Sequence, residues 1–166
     1  GLVASSQLGK RRVTLVIAGT KSKEERKLEG EKLLQWAYRD FKLVEIFPKD
    51  YLLGKAPVWV GTEDFIDLKT NSKIRELLPN GKLNMIKAEV HLDSPIAAPI
   101  YKNQEIGKLK ILMPSFIEGD EDRVVEYPIF SNSNISRGGF SKKFVATLKF
   151  SLFKISQSFN VEKLIN

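Results

Sequence analysis

The sequence predicts a mainly β fold: a strand–strand–helix element, then a small β-sandwich-like domain, then a C-terminal amphipathic helix. Three observations predict this order. A capping box precedes the first helical pattern, short runs after residue 42 alternate polar and apolar residues with period two, and a Lys- and Phe-rich segment with helical spacing follows residue 137. We therefore divide the chain into residues 1–42, residues 43–131, a linker at 132–137 and the amphipathic segment at 138–166.

The first element combines two strand patterns with one helix. Leu2–Ser6 and Arg12–Ala18 read as strands, and Ser22 with Glu25 forms a capping box that starts a helix over Lys23–Phe41. The apolar face of this helix consists of Leu33, Leu34, Ala37, Tyr38 and Phe41. Two strands are too few to bury such a face, so we expect another part of a protein to cover it.

The β-sandwich-like domain is predicted from eight short runs separated by Pro, Gly, Asn and Asp. Pro79-Asn80-Gly81-Lys82 contains the strongest hairpin turn signal of the chain. We interpret Trp36 and Trp59 as core residues, one in each predicted domain. The runs are Leu43–Phe47, Ala56–Val60, Asp64–Lys69, Ser72–Leu78, Leu83–Leu92, Ile96–Tyr101, Ile106–Leu112 and Arg123–Phe130.

The net charge of +7 is concentrated at the two ends of the chain. Residues 43–137 contain more Asp and Glu than Lys and Arg, whereas residues 138–166 contain five Lys and one Glu. This distribution argues against a nucleic-acid-binding domain, which needs a basic stripe on its folded face. The basic tail points to an anionic surface, but the residues alone leave two readings equally open: a helix that lies on a membrane surface and a helix docked on its own sheet. The predicted membrane-anchor residues are Phe140, Lys142, Lys143, Phe144, Leu148, Lys149, Leu152, Lys154, Ile155 and Phe159.

Composition excludes several kinds of site. The chain has no Cys, which removes disulfides, thiol catalysis and Cys-ligated metals. His91 is the single His, and the acidic run from Glu118 to Asp122 lacks the spacing of a calcium loop. We predict no metal and no cofactor.

The order of these segments resembles the C-terminal part of the serine D-alanyl-D-alanine carboxypeptidases, the low-molecular-mass penicillin-binding proteins. The resemblance implies that residues 1–42 are the end, or remnant, of an α/β serine-peptidase domain and that residues 43–131 are the family's β-rich second domain. It also implies that residues 138–166 attach the protein to the outer face of the cytoplasmic membrane, in the periplasm. The most specific stretches are Leu2-Val3-Ala4-Ser5 before a basic hairpin, Glu31-Lys32-Leu33-Leu34-Gln35-Trp36 with Phe41, and Ala98-Pro99-Ile100 through Gly107-Lys108-Leu109.

The resemblance implies an activity as well as a fold. Members of this family trim the terminal D-Ala of peptidoglycan stem peptides through an acyl-enzyme formed on the Ser of S-x-x-K, with S-x-N and K-T-G completing the site. The chain approximates these motifs, in the wrong order, at Ser151-Leu152-Phe153-Lys154, Ser158-Phe159-Asn160 and Lys69-Thr70-Asn71. We interpret all three as decoys, predict no catalytic residue in this chain, and expect the true K-T-G strand upstream of Gly1.

The chain is therefore expected to begin inside the peptidase domain and to be inactive alone. Its β domain is expected to act as a stalk or platform, with cell-wall proteins as candidate partners, and its tail is expected to bind the membrane. The missing domain would bind the peptidoglycan pentapeptide. The alternative is a non-enzymatic, membrane-associated β-module or interaction domain.

Overall fold

The computed structural model describes residues 1–92, 96–115, 119–138 and 157–160. Across these residues the structure is mainly β with one α-helix, which confirms the mainly β part of the predicted fold class. The elements are β1 (Leu2–Leu8), β2 (Arg11–Ile17), α1 (Lys23–Asp40), β3 (Phe41–Phe47), β4 (Leu52–Trp59), β5 (Phe65–Lys69), β6 (Ile74–Pro79), a 3₁₀ turn (Leu83–Met85), β7 (Lys87–Leu92), β8 (Ile96–Ala97), β9 (Glu105–Met113), β10 (Arg123–Ser131) and β11 (Gln157–Asn160).

The chain divides into two compact units. Unit 1 contains Gly1–Val44 and Glu76–Leu83, and unit 2 contains Glu45–Arg75 and Asn84–Asn166. The sequence division at residue 42 lies close to the end of the first part of unit 1. The sequence does not predict that residues 76–83 belong to unit 1. Their assignment follows from the pairing of β6 with β3, and that pairing has no local sequence signal.

In unit 1 the hairpin β1–β2 packs against α1. Ser22 caps the helix by accepting a hydrogen bond from the backbone N–H of Glu25 (3.0 Å), while the Glu25 carboxylate accepts one from the N–H of Lys21 (2.6 Å). Gly30 is buried beneath the hairpin, and a Cβ at this position would lie 3.3 Å from Leu2 Cδ2. The missing side chain thus lets the helix approach the hairpin closely.

Arg11 closes the other end of α1. Its guanidinium donates to the carbonyl of Phe41 (2.7 Å) and to the carbonyl of Ala37, and it lies 5.2 Å from the centre of the Tyr38 ring. Ala37 lies in the last turn of the helix and Phe41 is its C-cap residue, the region where helix carbonyls lack helical N–H partners. The charged side chain therefore ties the β1–β2 hairpin to the C-terminal end of α1.

Unit 2 is built on one continuous ladder with the strand order β11-β7-β9-β10-β5-β4-β8, in which only the β4–β8 pair is parallel. Its strands alternate as predicted. On β9, Leu109 and Ile111 are fully buried, whereas Lys108 and Lys110 point outward and both pair with Glu126 of β10. Unit 2 therefore buries its own apolar core.

Two local predictions are wrong. The Asn80-Gly81 turn does not form a hairpin, because β6 pairs with β3 while β7 pairs with β9 and β11. Both Trp side chains lie at the surface rather than in a core, with Trp36 47% and Trp59 39% exposed. The alternation in β4 explains Trp59: Ala56 and Val58 point inward, so the next residue points outward.

The predicted C-terminal helix falls mostly outside the described residues, which leave out 139–156 and 161–166. The remaining part, Gln157–Asn160, is the strand β11, paired antiparallel with β7. The helix prediction is wrong at these four residues, Phe159 among them, because their backbone bonds to a neighbouring strand. Among the described residues, no helix combines the length and apolar character needed to span a membrane.

Candidate functional site

The predicted membrane-anchor residues are largely untested by the structure. Nine of the ten lie within 139–156, outside the described residues, and the tenth, Phe159, pairs with Ala88 in the β11–β7 ladder. The prediction that these side chains bind a membrane therefore stays a prediction. The decoy Ser151-Leu152-Phe153-Lys154 also lies outside the described residues, and Ser158-Phe159-Asn160 lies in β11.

The third approximate motif, Lys69-Thr70-Asn71, stands at the end of β5. The side chain of Lys69 is only 9% exposed, and its Nζ lies 2.9 Å from Asp50 Oδ1. The hydrogen bond from Lys69 lowers the pKa of the Asp50 carboxyl, with further lowering by the nearby charges of Lys69, Lys49 and Lys102. The Lys69 ammonium group thus stabilises the loop between β3 and β4 through its ion pair with Asp50.

Thr70 is fully buried and serves the same loop. Its hydroxyl donates to the carbonyl of Pro48 (2.7 Å) and accepts from the N–H of Tyr51 (3.0 Å). Its own N–H donates to the Tyr51 carbonyl, and its carbonyl accepts from the N–H of Asp50, both at 3.0 Å. These contacts give Lys69 and Thr70 a structural role, which agrees with the decoy interpretation of this motif.

His91, the single His of the chain, is an exposed residue of β7. It lies on the outer face of β7, with Nε2 3.3 Å from Glu89 Oε2. Across the described ranges, no group of three or more His, Cys, Asp or Glu side chains could hold a metal ion.

Unit 1 presents apolar residues on two sides that its own packing leaves uncovered. On the hairpin, Val3 and Val16 pair directly across the strands and are 72% and 73% exposed. On α1, Leu28, Leu33 and Trp36 are 52%, 41% and 47% exposed. Pairs of exposed apolar side chains on one small unit are typical of a surface that packs against other protein.

The segment after β10 is tied to unit 2. Ile135 is buried and exchanges two 2.8 Å backbone hydrogen bonds with Ile100. Further on, Arg137 pairs with Gly61 and donates through Nε to the carbonyl of Ala98. The residues expected to form a linker at 132–137 are thus attached to the β domain along this length.

An exposed apolar surface lies beside this segment. Pro57 of β4 pairs with Phe65 of β5, and Trp59 of β4 pairs with Ala97 of β8. Since alternate residues of a strand and direct cross-strand partners share one side of a sheet, these four side chains lie on one face, which we call the aromatic face. Sequence reasoning missed it by assigning Trp59 to the core, although period two from Ala56 and Val58 indicates an outward side chain.

Comparison with known proteins connects these features to a family. Residues 41–137 match the family model described as "Penicillin-binding protein 5, C-terminal domain". The D-alanyl-D-alanine carboxypeptidases DacD of Salmonella typhimurium and of Escherichia coli are each 30% identical to the chain, over 83% and 82% of its length, and DacF of Bacillus subtilis is 28% identical over 84%. In each case the match covers 34% of the relative, so the chain spans about a third of the length of these curated relatives.

The fold agrees with this similarity. The structure of penicillin-binding protein 5 from Haemophilus influenzae superimposes with a TM-score of 0.63 at 25% identity, covering 82% of this chain and 38% of that one. These matches confirm the resemblance that the motifs and their order indicated.

Proposed function

The chain belongs to the family of the penicillin-binding protein 5 C-terminal domain, and on this premise we propose that it is the C-terminal portion of a bacterial serine-type D-alanyl-D-alanine carboxypeptidase. The parent enzyme would remove the terminal D-Ala from peptidoglycan stem peptides. The match of residues 41–137 to the family model is the observation that carries the proposal. We place catalysis in a segment outside this sequence; the structural use of Lys69 and Thr70, at one of the three approximate motifs, supports this.

In this proposal unit 1 completes a serine-peptidase domain. The exposed Val3–Val16 pair would pack against the remainder of that domain, and so would the face of α1 that contains Leu33 and Trp36. Burial of an apolar side chain of this size contributes about 1.5–3 kcal/mol, so covering the two faces would stabilise the association of unit 1 with the rest of that domain.

The first test is to sequence the coding DNA upstream of the codon for Gly1. We expect the reading frame to continue into S-x-x-K, S-x-N and K-T-G in that order, preceded by a signal peptide. The expressed longer protein should then be labelled by a fluorescent penicillin, and the 166-residue chain should not. A stop codon close upstream would contradict the enzymatic proposal, and labelling of the chain alone at Ser151 would contradict its non-catalytic role.

We further propose that the Lys- and Phe-rich sequence from residue 138 attaches the protein to the outer face of the cytoplasmic membrane. The charge of this segment, five Lys against one Glu, supports binding to anionic lipid. Each Lys near such a surface contributes about 1 kcal/mol, so Lys142→Gln with Lys143→Gln should weaken binding to phosphatidylglycerol vesicles by about 30-fold. Raising the salt concentration should weaken wild-type binding as well, and vesicle binding unaffected by either change would contradict the proposal.

The second candidate is a non-enzymatic β-module, and the self-contained core of unit 2 favours it. In that case the uncovered faces of unit 1 would bind a separate protein, and cell-wall proteins are the partners to test. The upstream DNA sequence separates the two candidates, because a complete module needs no peptidase motifs in its reading frame.

A further inference from the structure

The aromatic face of unit 2 becomes more apolar toward the end of β4 that lies next to Gly138. Along the outer side of β4 and β5, the Lys55–Asp67 ion pair comes first (4.0 Å). The Pro57–Phe65 pair follows, and Trp59 ends the strand. Phe65 is 53% and Trp59 39% exposed, so two large aromatic side chains of this face are open to solvent.

The backbone places residue 138 directly beside this face. The N–H of Gly138 donates to the carbonyl of Val60 (2.9 Å), the residue after Trp59, and the N–H of Thr62 donates to the carbonyl of Ser136 (2.9 Å). Val60 itself has φ 58°, in the left-handed region, which a β-branched side chain rarely adopts. A strained residue thus stands where the strand turns away from the aromatic face, and such strain is concentrated at functional surfaces.

We propose that the aromatic face is a second membrane contact, with Trp59 and Phe65 entering the headgroup region of the bilayer beside the segment that begins at residue 138. This inference rests on the proposed membrane attachment of that segment. Its independent support is the exposed Trp at the same end of the same unit, since Trp combines an apolar ring with an N–H donor and prefers the membrane–water interface.

The charged residues around the aromatic face determine how membrane binding through this face should depend on lipid charge and salt. The side chains of Lys55 and Arg137 border it on the sheet and on the segment after β10, and Glu63, Asp64 and Asp67 lie on the turn and strand beside them. Because both signs are present, the contact should depend on buried apolar area rather than on lipid charge. It should therefore persist at salt concentrations that weaken the Lys-dependent attachment.

The experiment uses the fluorescence of Trp59 in the full chain. The chain has two Trp, so Trp36→Phe leaves Trp59 as the single emitter. This variant is mixed with phosphatidylglycerol–phosphatidylcholine vesicles that do or do not contain brominated phosphatidylcholine, and co-sedimentation is measured on the same samples. We expect a blue shift of the emission on binding and quenching by the brominated lipid.

Substitutions test how much Trp59 and Phe65 contribute to the free energy of vesicle binding. Trp59→Ala with Phe65→Ala should weaken vesicle binding by about tenfold at both low and high salt, because it removes two large apolar side chains from the contact. Leu52→Ala is the matched control, since Leu52 is 54% exposed at the opposite end of β4 and should leave binding unchanged. Circular dichroism of each variant checks that the fold is kept.

The outcomes separate the two proposals. Co-sedimentation without a change in Trp59 emission would overturn the contact at the aromatic face and leave the attachment by the segment after residue 138 intact. Absence of co-sedimentation would overturn both. Equal loss of binding in the Leu52→Ala and the Trp59→Ala/Phe65→Ala variants would also overturn the inference, because it would assign the effect to general surface hydrophobicity.

Discussion

Unit 1 and unit 2 differ in how completely they bury their apolar side chains. Unit 2 encloses side chains such as Leu109, Ile111 and Phe47 completely, whereas the only buried residue of α1 in unit 1 is Gly30. Unit 1 instead leaves Val3 and Val16 on an open side of its hairpin. The difference shows that unit 2 encloses an apolar core of its own, and the exposed side chains of unit 1 support the proposal that it packs against further protein.

The largest effect that separates the two units should come from core truncation. Leu109→Ala in β9 removes a fully buried side chain and should lower the free energy of unfolding of unit 2 by about 2–5 kcal/mol. Val16→Ala in β2 should change the stability of unit 1 by less than about 0.5 kcal/mol, since this side chain already faces solvent.

Urea unfolding followed through single Trp residues measures both changes, because Trp36 lies in unit 1 and Trp59 in unit 2. If Val16→Ala destabilises unit 1 as strongly as Leu109→Ala destabilises unit 2, the proposed difference in burial between the two units is wrong. That result would mean that the hairpin face is covered in solution.

Two glycines, one in each unit, test how tightly the backbone of each unit is packed. A Cβ on Gly107 of β9 would lie 2.4 Å from the His91 carbonyl, so Gly107→Ala should force the β7–β9 backbones apart and cost about 1–3 kcal/mol. In unit 1 the nearest atom to a Cβ on Gly30 is the end of the movable Leu2 side chain, at 3.3 Å.

For Gly30→Ala the small clash is offset by the better helix propensity of Ala, which is worth up to about 1 kcal/mol. We therefore expect a change close to zero. Thermal melting of both variants tests this pair, and a loss at Gly30 equal to that at Gly107 would show that unit 1 is as tightly packed as unit 2.

The buried hydroxyl of Thr70 provides a smaller contrast. Thr70→Val keeps the shape of the side chain but leaves the Pro48 carbonyl and the Tyr51 N–H without their partner, at a cost of about 1–2 kcal/mol. Thr14→Val in unit 1 removes a hydroxyl at an exposed position, where it contacts Ser5 (3.3 Å), and should cost nothing measurable. Thr70→Ser should restore most of the loss; if it does not, the methyl group rather than the hydroxyl matters.

The same contrast explains what the sequence could predict. The capping box at Ser22 and the alternation in β9 depend on neighbours within a few residues, and both were predicted correctly. The partner of β6 depends on a residue pairing some thirty positions away, so the Asn80-Gly81 turn signal misled the hairpin assignment. The same limit applies to the aromatic face, which is assembled from three strands.

The smallest effect should be the pH dependence contributed by Asp50. The hydrogen bond from Lys69 lowers the pKa of this carboxyl in the folded state below its unfolded value of about 4. The pair therefore stabilises unit 2 above that value, and the contribution is lost as the pH falls through the folded pKa. Asp50→Asn should flatten the acid limb of the stability curve of unit 2 below about pH 5.

Asp40 of unit 1 is the comparison for this prediction, because Arg39 lowers the pKa of its carboxyl in the same direction. The difference lies in the partner: the Arg39 side chain is 74% exposed, whereas the Lys69 side chain is 9% exposed. Solvent screens the exposed pair, so Asp40→Asn should flatten the unit 1 curve less than Asp50→Asn flattens that of unit 2. Urea titrations at several pH values test this order, and equal slopes for the two variants would show that burial of the cation does not set the strength of the pair.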